Sequence, residues 1–390
     1  MSRTEPRTEA HTEADRLMRI CNACRYCEGL CAVFPAMERR RTFGDGDLNL
    51  LANLCHQCGA CYYDCQYAPP HEFAVNVPRT LSQVRTRSYQ DYTWPRVLAP
   101  VFARNGLWIA LVTGLAVAAF IAGFMAVADP GVLFSVQTGE GAFYRIMPHN
   151  AMALLFGGAF LYAILAIVMG LLAFWRDIGA AGEVPTAGSL WQAVRDAATL
   201  RYLDGGGVGC MNEDERPDDT RRHWHHWAFY GFVLCFASTS SATVLHYLLD
   251  WQAPYPWYSV PVVLGTVGGI GIVVGPAMLA RAKFSRDTAM ADTERYGMDT
   301  AFLASLFLVG VTGLLLLFLR ATPAMGMLLA IHLGFVFAFF ITMPYGKFVH
   351  GTYRFAALVR HAMERRAGFH PAAESQARAG PTTVPYGSKP

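Results

Sequence analysis

Eight of the ten cysteines lie in two short runs, CNACRYCEGLC (Cys21 to Cys31) and CHQCGACYYDC (Cys55 to Cys65). Each run has the spacing C-x2-C-x2-C-x3-C. Three thiolates on one tight loop can each reach a different iron of a cubane, while the fourth, at the start of the next helix, points to a neighbouring cubane. The spacing therefore predicts two [4Fe–4S] clusters with crossed ligation. Cys21, Cys24, Cys27 and Cys65 hold the first; Cys55, Cys58, Cys61 and Cys31 hold the second. Crossing keeps the clusters close, which suits electron hopping. Structural zinc fits poorly, because it uses two widely separated C-x2-C pairs or mixed Cys and His ligands. Cys21, Cys24, Cys27, Cys31 and Pro35 recur 34 residues later, which marks a duplicated unit. Bacterial ferredoxins place Pro directly after the fourth cysteine; here it comes four residues later. Cys235 reads as inert filling in a helix, and Cys210, in a Gly-rich loop, takes no assignment.

The histidines form a second set. His332 and His350 are 18 residues apart, five turns of a single helix, so they share a face with about 27 Å between them. His225 and His246 are 21 residues apart and lie within about 60° of each other around a helix. His226 falls on nearly the opposite face from His246 and is the alternate to His225. On antiparallel helices, His225 meets His350 near one membrane surface and His246 meets His332 near the other. This arrangement suits one or two b-type haems with paired imidazole ligands. A histidine at a helix end is as often a plain interfacial residue, but an ionisable group inside an apolar span, such as His332, is a functional signal. His149 is a spare, either a quinone ligand or without a role.

These residues need elements to position them. The chain of 390 residues is 53% hydrophobic and 16% charged, against about 25% charged in soluble domains. Six apolar runs are long enough to span a bilayer as helices: Leu107 to Ala128, Ala151 to Trp175, His226 to Leu249, Val260 to Ala280, Ala301 to Leu319, and Met327 to about Phe348. The third is the weakest, with CFASTSSAT at its middle. One set of loops carries six, four and seven Lys or Arg, and the other only Arg145 and Arg320. Positive charge stays inside, so both termini are expected in the cytoplasm of a cell with this multi-pass protein in its inner membrane. The first twenty residues lack an apolar run, so no secretory signal is expected, and cytoplasmic thiols stay reduced.

The fold class expected is mainly α: a small cytoplasmic, ferredoxin-like helical domain for two clusters, followed by a six-helix transmembrane bundle. The domains read as a polar segment at 1–20, the cluster domain at 21–70, a connector at 71–106, the haem domain at 107–350 with a cytoplasmic loop at 176–222, and a tail at 351–390 whose last part, from 370, is disordered by composition. Gly265, Gly269, Gly271 and Gly275 give small-xxx-small pairs for helix packing. Arg39, Arg40 and Arg41 read as a solvated face. No flavin or nicotinamide fingerprint is present, no nucleophile arrangement stands out, and the net charge of +3 gives no sign of nucleic-acid binding.

The paired cysteine runs, followed by DGGGVGC, RRHWHHWAFYGFVLCFAST and HLGFVFAFFITMPYGKFVH, resemble the tricarballylate-utilisation protein B family, also called the citrate-utilisation protein B family. The likeness runs from about Cys21 to His361. The span with His332 and His350 also resembles the haem-binding gamma subunit of respiratory nitrate reductases. The family resemblance implies an electron-transfer protein. It would reoxidise the FADH2 of a cytoplasmic tricarballylate dehydrogenase and pass electrons to membrane quinone. The opposite direction, quinol electrons flowing inward to a heterodisulfide-reductase-like partner, is the alternative that the motifs alone leave open.

Overall fold

The computed structural model describes residues 7–180, 182–205, 207, 209–211, 216–284, 286–292 and 296–368. The described residues form helices joined by turns and loops, and the one β-bridge among them pairs Cys210 with Asp218.

Helices α1 (Glu9–Cys24), α2 (Val33–Glu38), α3 (Asp45–Leu54), α4 (Ala60–Tyr63) and α5 (Val77–Asp91) form the N-terminal domain. Their starts are written locally. The His11 amide donates to Thr8 Oγ1 at 3.3 Å, the Gly44 amide to Asp47 Oδ2 at 3.0 Å, and the Arg79 amide to Asn76 Oδ1 at 3.2 Å. Each bond satisfies a backbone group that a helix start leaves orphaned. Leu17, Met18, Met37, Leu48, Leu50, Leu51, Leu54 and Leu81 are fully buried between these helices. The segment read as a connector thus supplies α5 to this core, and the polar start supplies α1.

Among the described residues, six helices are long and apolar enough to cross a membrane: α6 (Asn105–Val127), α8 (His149–Trp175), α10 (Thr220–Leu249), α11 (Val260–Phe284), α12 (Tyr296–Phe318) and α13 (Met325–Thr342). The span ending in α10 has a mean hydropathy of 1.5, against 2.1 to 2.5 for the others, so the hydroxyl-rich stretch does make it the weakest. The short α7 (Pro130–Leu133) and α9 (Ala187–Ala198) lie between spans. α10 packs along α11, and α13 packs on α6, α12 and α8. Glycine makes the first contact close, as the small-residue spacing predicts: a Cβ on Gly271 would stand 2.7 Å from Gly231 Cα, and one on Gly275 would stand 2.5 Å from the Ala228 amide. Between α10 and the α8–α13 pair the backbones stay apart. Aromatic rings reach across: Phe232 to Phe339 at 6.0 Å and Phe160 to Phe236 at 6.0 Å.

One expectation is corrected here. His332 and His350 do not share a helix. α13 ends at Thr342, Met343–Tyr345 forms a 3-10 turn, and α14 (Val349–Arg366) begins afresh. Pro344 lacks an amide and cannot continue the helix, and Gly346 is extended at φ −143°. The new helix, part of the segment read as a tail, returns to the N-terminal domain. There Arg40 pairs with Glu364 at 2.7 Å and with Asp47 at 2.7 Å, the Arg40 and Glu364 side chains well shielded and Asp47 partly exposed. Arg40 is therefore not on a solvated face. The disorder expected from residue 370 onward lies outside the described residues.

Candidate redox centres

α1 carries Cys21 and Cys24 on its last turn and stops at Arg25, whose φ is 57°. The repeat places Gly59 at the equivalent position with φ 89°, so the duplication is visible in the backbone. Gly59 is obligatory, since a Cβ would stand 2.7 Å from the Met211 carbonyl in an already left-handed residue. Both turns swing the chain back so that successive cysteines face one space.

Two cavities result. The larger, about 250 Å³, is lined by Cys21, Cys24, Cys27, Cys61 and Cys65 with Ile20, Phe34 and Val77. The smaller, about 20 Å³, is lined by Cys31, Cys55, Cys58 and Cys61 with His56 and Tyr202. Cys61 faces both. Among the described residues no three His, Cys, Asp or Glu side chains gather where a single ion would sit; the thiols surround spaces instead. Burial, with repulsion from neighbouring thiolates, pushes Cys21 and Cys27 up to about 12. Burial raises Cys58 to about 11 and puts Cys31 and Cys61 well above the usual range. These five thiols are protonated at neutral pH until a cation takes the protons' place. The donor set fits an iron–sulfur cube at each position, with the second closed tightly around its thiols.

The Gly-rich loop after α9 covers the second position. The Met211 amide donates to the Cys58 carbonyl at 2.8 Å, and Cys210, Leu200 and Leu203 pack on Cys58 and Ala60. Cys210 is buried there, its thiol 3.1 Å from the Leu203 carbonyl. Its role is to pack this lid. Cys235 sits against Gly268 in the α10–α11 seam, as filling. Residues 206, 208 and 212–215 of this loop are outside the described set.

Four arginines, three of them read from charge counting for topology alone and Arg85 not read at all, converge on the second run. Arg85 Nη1 donates to the Cys55 carbonyl at 2.6 Å, and Arg354 Nη2 donates to the same carbonyl at 2.8 Å. Arg221 Nη1 donates to the Gln57 carbonyl at 2.9 Å, joined there by Arg286. Burial and the neighbouring guanidiniums bring Arg286 and Arg354 down to about 10, still cationic at neutral pH. His56, buried beside Arg354, is held well below the usual histidine range and is neutral. No local motif announces these arginines, because they come from α5, α10, the α11–α12 loop and α14.

Arg354 is one turn from His350, so α14 hangs its first histidine beside the second cysteine run. The rings of His225 and His350 are 6.2 Å apart at 74°. Two imidazoles on opposite sides of one metal, with metal–nitrogen bonds of about 2 Å, put their ring centres roughly 6 Å apart. His350 Nδ1 lies 2.5 Å from the Lys347 carbonyl, which can only accept, so Nδ1 carries the proton and Nε2 keeps its lone pair. Burial, reinforced by Arg354, holds His350 well below its ordinary range, hence neutral. His225 Nδ1 is buried with no hydrogen-bond partner. His226 instead packs on Tyr230 at 5.8 Å, and Tyr230 bonds the Ala198 carbonyl of α9. The donors at the first pair fit a haem iron.

The second pair does not form. His246 stacks on His149, ring centres 3.7 Å apart and nearly parallel, with Tyr144 and Tyr247 edge-on. Parallel rings that close cannot flank one iron. His332 faces α12 instead, its Nδ1 3.0 Å from Thr312 Oγ1 and its ring against Gly313. The physical reason is packing: α13 lies on α6, α12 and α8, with α10 held off by its seam with α11.

A family model described as citrate utilization protein B matches residues 100–371, and one described as its Fer4-like domain matches residues 14–91. Citrate utilization protein B of Escherichia coli is 48% identical to this chain over 362 residues, which cover 93% of this chain and 94% of that protein. No solved structure matches the chain.

Proposed function

The chain belongs to the citrate utilization protein B family, and on that footing we propose that it carries electrons from the reduced flavin of a separate dehydrogenase to membrane quinone. It is a membrane protein with an iron–sulfur domain; its role in electron transfer for citrate utilization follows from the family. The finer reading is a relay of two [4Fe–4S] positions and a b-type haem, with a tricarballylate dehydrogenase-like flavoprotein as electron donor. When bound, these groups supply one-electron sites that the side chains cannot.

The observation that carries the reading is continuity. Cys61 lines both thiol cavities, and the second run is tied through Arg354 to the helix that carries His350. The thiols would hold iron, and His225 with His350 would hold haem between α10 and α14. The first run is the exposed one, with Cys24 and Tyr26 open to solvent, which suits it to a docking flavoprotein. The N-terminal domain lies on the arginine-rich side of the bundle, so the reading places it in the cytoplasm. His246 and His332 do not meet, which favours one haem over two.

Iron, acid-labile sulfide and haem analysis of the purified protein, with a reduced-minus-oxidised spectrum, tests the relay. Eight irons in clusters, eight sulfides and one bis-imidazole haem per chain are expected. Zinc in place of iron, or a colourless anaerobic preparation, would overturn it. Faster reduction of haem by quinol than by a reduced flavoprotein would reverse the direction.

A further inference from the structure

The functional reading treats the two cluster positions as equivalent beads on a wire; their charged surroundings are not equivalent. The arginines on α1 and just before it are neutralised by carboxylates: Arg16 by Glu13 at 2.6 Å, Arg19 by Asp15 at 3.0 Å, and Arg7 by Asp45 at 2.6 Å. Arg85, Arg221, Arg286 and Arg354 meet carbonyl oxygens, and among the described residues none of the four is ion-paired with a carboxylate. A carbonyl can orient a guanidinium without cancelling its charge. Arg85 is 5% exposed, and unpaired buried charge is costly. Such a set persists where something anionic sits among it. A thiolate-ligated cluster is anionic, and more so once reduced.

We infer that Arg85, Arg221, Arg286 and Arg354 form a cationic collar that makes the second cluster position easier to reduce than the first. An electron added to the second cluster is attracted by four nearby positive charges in a poorly screened setting. One added to the first meets a more open surface with one arginine, Arg25, and Asp64 at the cavity wall. The difference gives the relay a downhill step from the exposed position to the buried one, which adjoins His350. This inference rests on the cluster assignment of the functional reading.

The test is an EPR-monitored redox titration of the intact, iron-loaded protein in detergent. Cys24→Ser identifies the signal of the first cluster. Arg85→Gln and Arg286→Gln, made separately, are each expected to lower the reduction equilibrium of the second cluster at least tenfold, ~59 mV for a one-electron couple, and to leave the first unmoved. Arg85→Lys keeps the charge and should restore most of the shift, which a packing role would not. Arg16→Gln, a paired surface arginine, should change neither signal. Wild-type potentials in iron-loaded Gln variants would overturn the inference, as would equal shifts in the Gln and Lys variants. Wild-type protein without iron and sulfide would bring down the cluster assignment itself; metal analysis separates that failure from the other two.

Discussion

Cys24 stands exposed at the end of α1, two residues from a Tyr26 that is 73% exposed. Its counterpart Cys58, 34 residues on, is buried beneath Cys210 and Met211. Near the first run Arg7, Arg16 and Arg19 face carboxylates and Arg25 faces a carbonyl; around the second, four arginines face carbonyls. The comparison teaches that a duplicated motif fixes donors and turn geometry, while later parts of the chain decide what each copy is for. What distinguishes the second run comes mostly from elsewhere: its lid from the loop after α9, and its charge from α5, α10, the α11–α12 loop and α14.

Crossed ligation gives the sharpest way to break this contrast. Cys31→Ser, a change in the first run, should abolish the EPR signal of the second cluster and cut iron and sulfide to about half. Loss of the first signal instead would mean that each run keeps its own fourth ligand. Next in size, His350→Ala should remove the haem absorbance with cluster iron retained, while His226→Ala should leave the spectrum unchanged; the reverse result would move the haem ligand to the α9 side.

The ion pairs offer smaller, graded tests. Glu364→Gln removes one of the two carboxylates on Arg40, leaving Asp47, and should cost about 2 kcal/mol, seen as earlier thermal unfolding of the N-terminal domain. Acid should do the same to the wild type. Burial opposes ionisation of Glu364, but Arg40 and Arg360 outweigh it and hold the carboxyl below its ordinary range. Its stabilisation is complete above the unfolded-state value and is lost as pH falls through the lowered one, so an acid unfolding curve for Glu364→Gln should be flatter there. Least of all, Arg16→Ala on the exposed α1 face should change stability by under about 1 kcal/mol.

Much of this could be read from the residues. Cysteine spacing predicted which thiols gather around each cavity, because the geometry of each run is local. Hydropathy found the six long helices, because lipid imposes one composition on all of them. The pairing of His225 with His350 followed from charge-derived topology, although Pro344 divided the helix assumed to carry His332 and His350. The His246–His332 pair failed because helical phase says which face a side chain occupies but not which helix covers that face. The roles of Arg85 and Arg354 were invisible for a related reason: a guanidinium reaching a carbonyl 30 or 299 residues away leaves no periodic trace. Charge counting used Arg221, Arg286 and Arg354 for orientation only.

The return of α14 has a mechanical consequence. The head is strutted at two points, by the chain that leads into α6 and by the helix that comes back after α13, and Arg40 and Arg354 pin the second strut. A head braced like this cannot swing on a tether to collect its cargo and deliver it elsewhere. In the proposed relay, tunnelling distances would be set at assembly, and the redox partner would do the travelling.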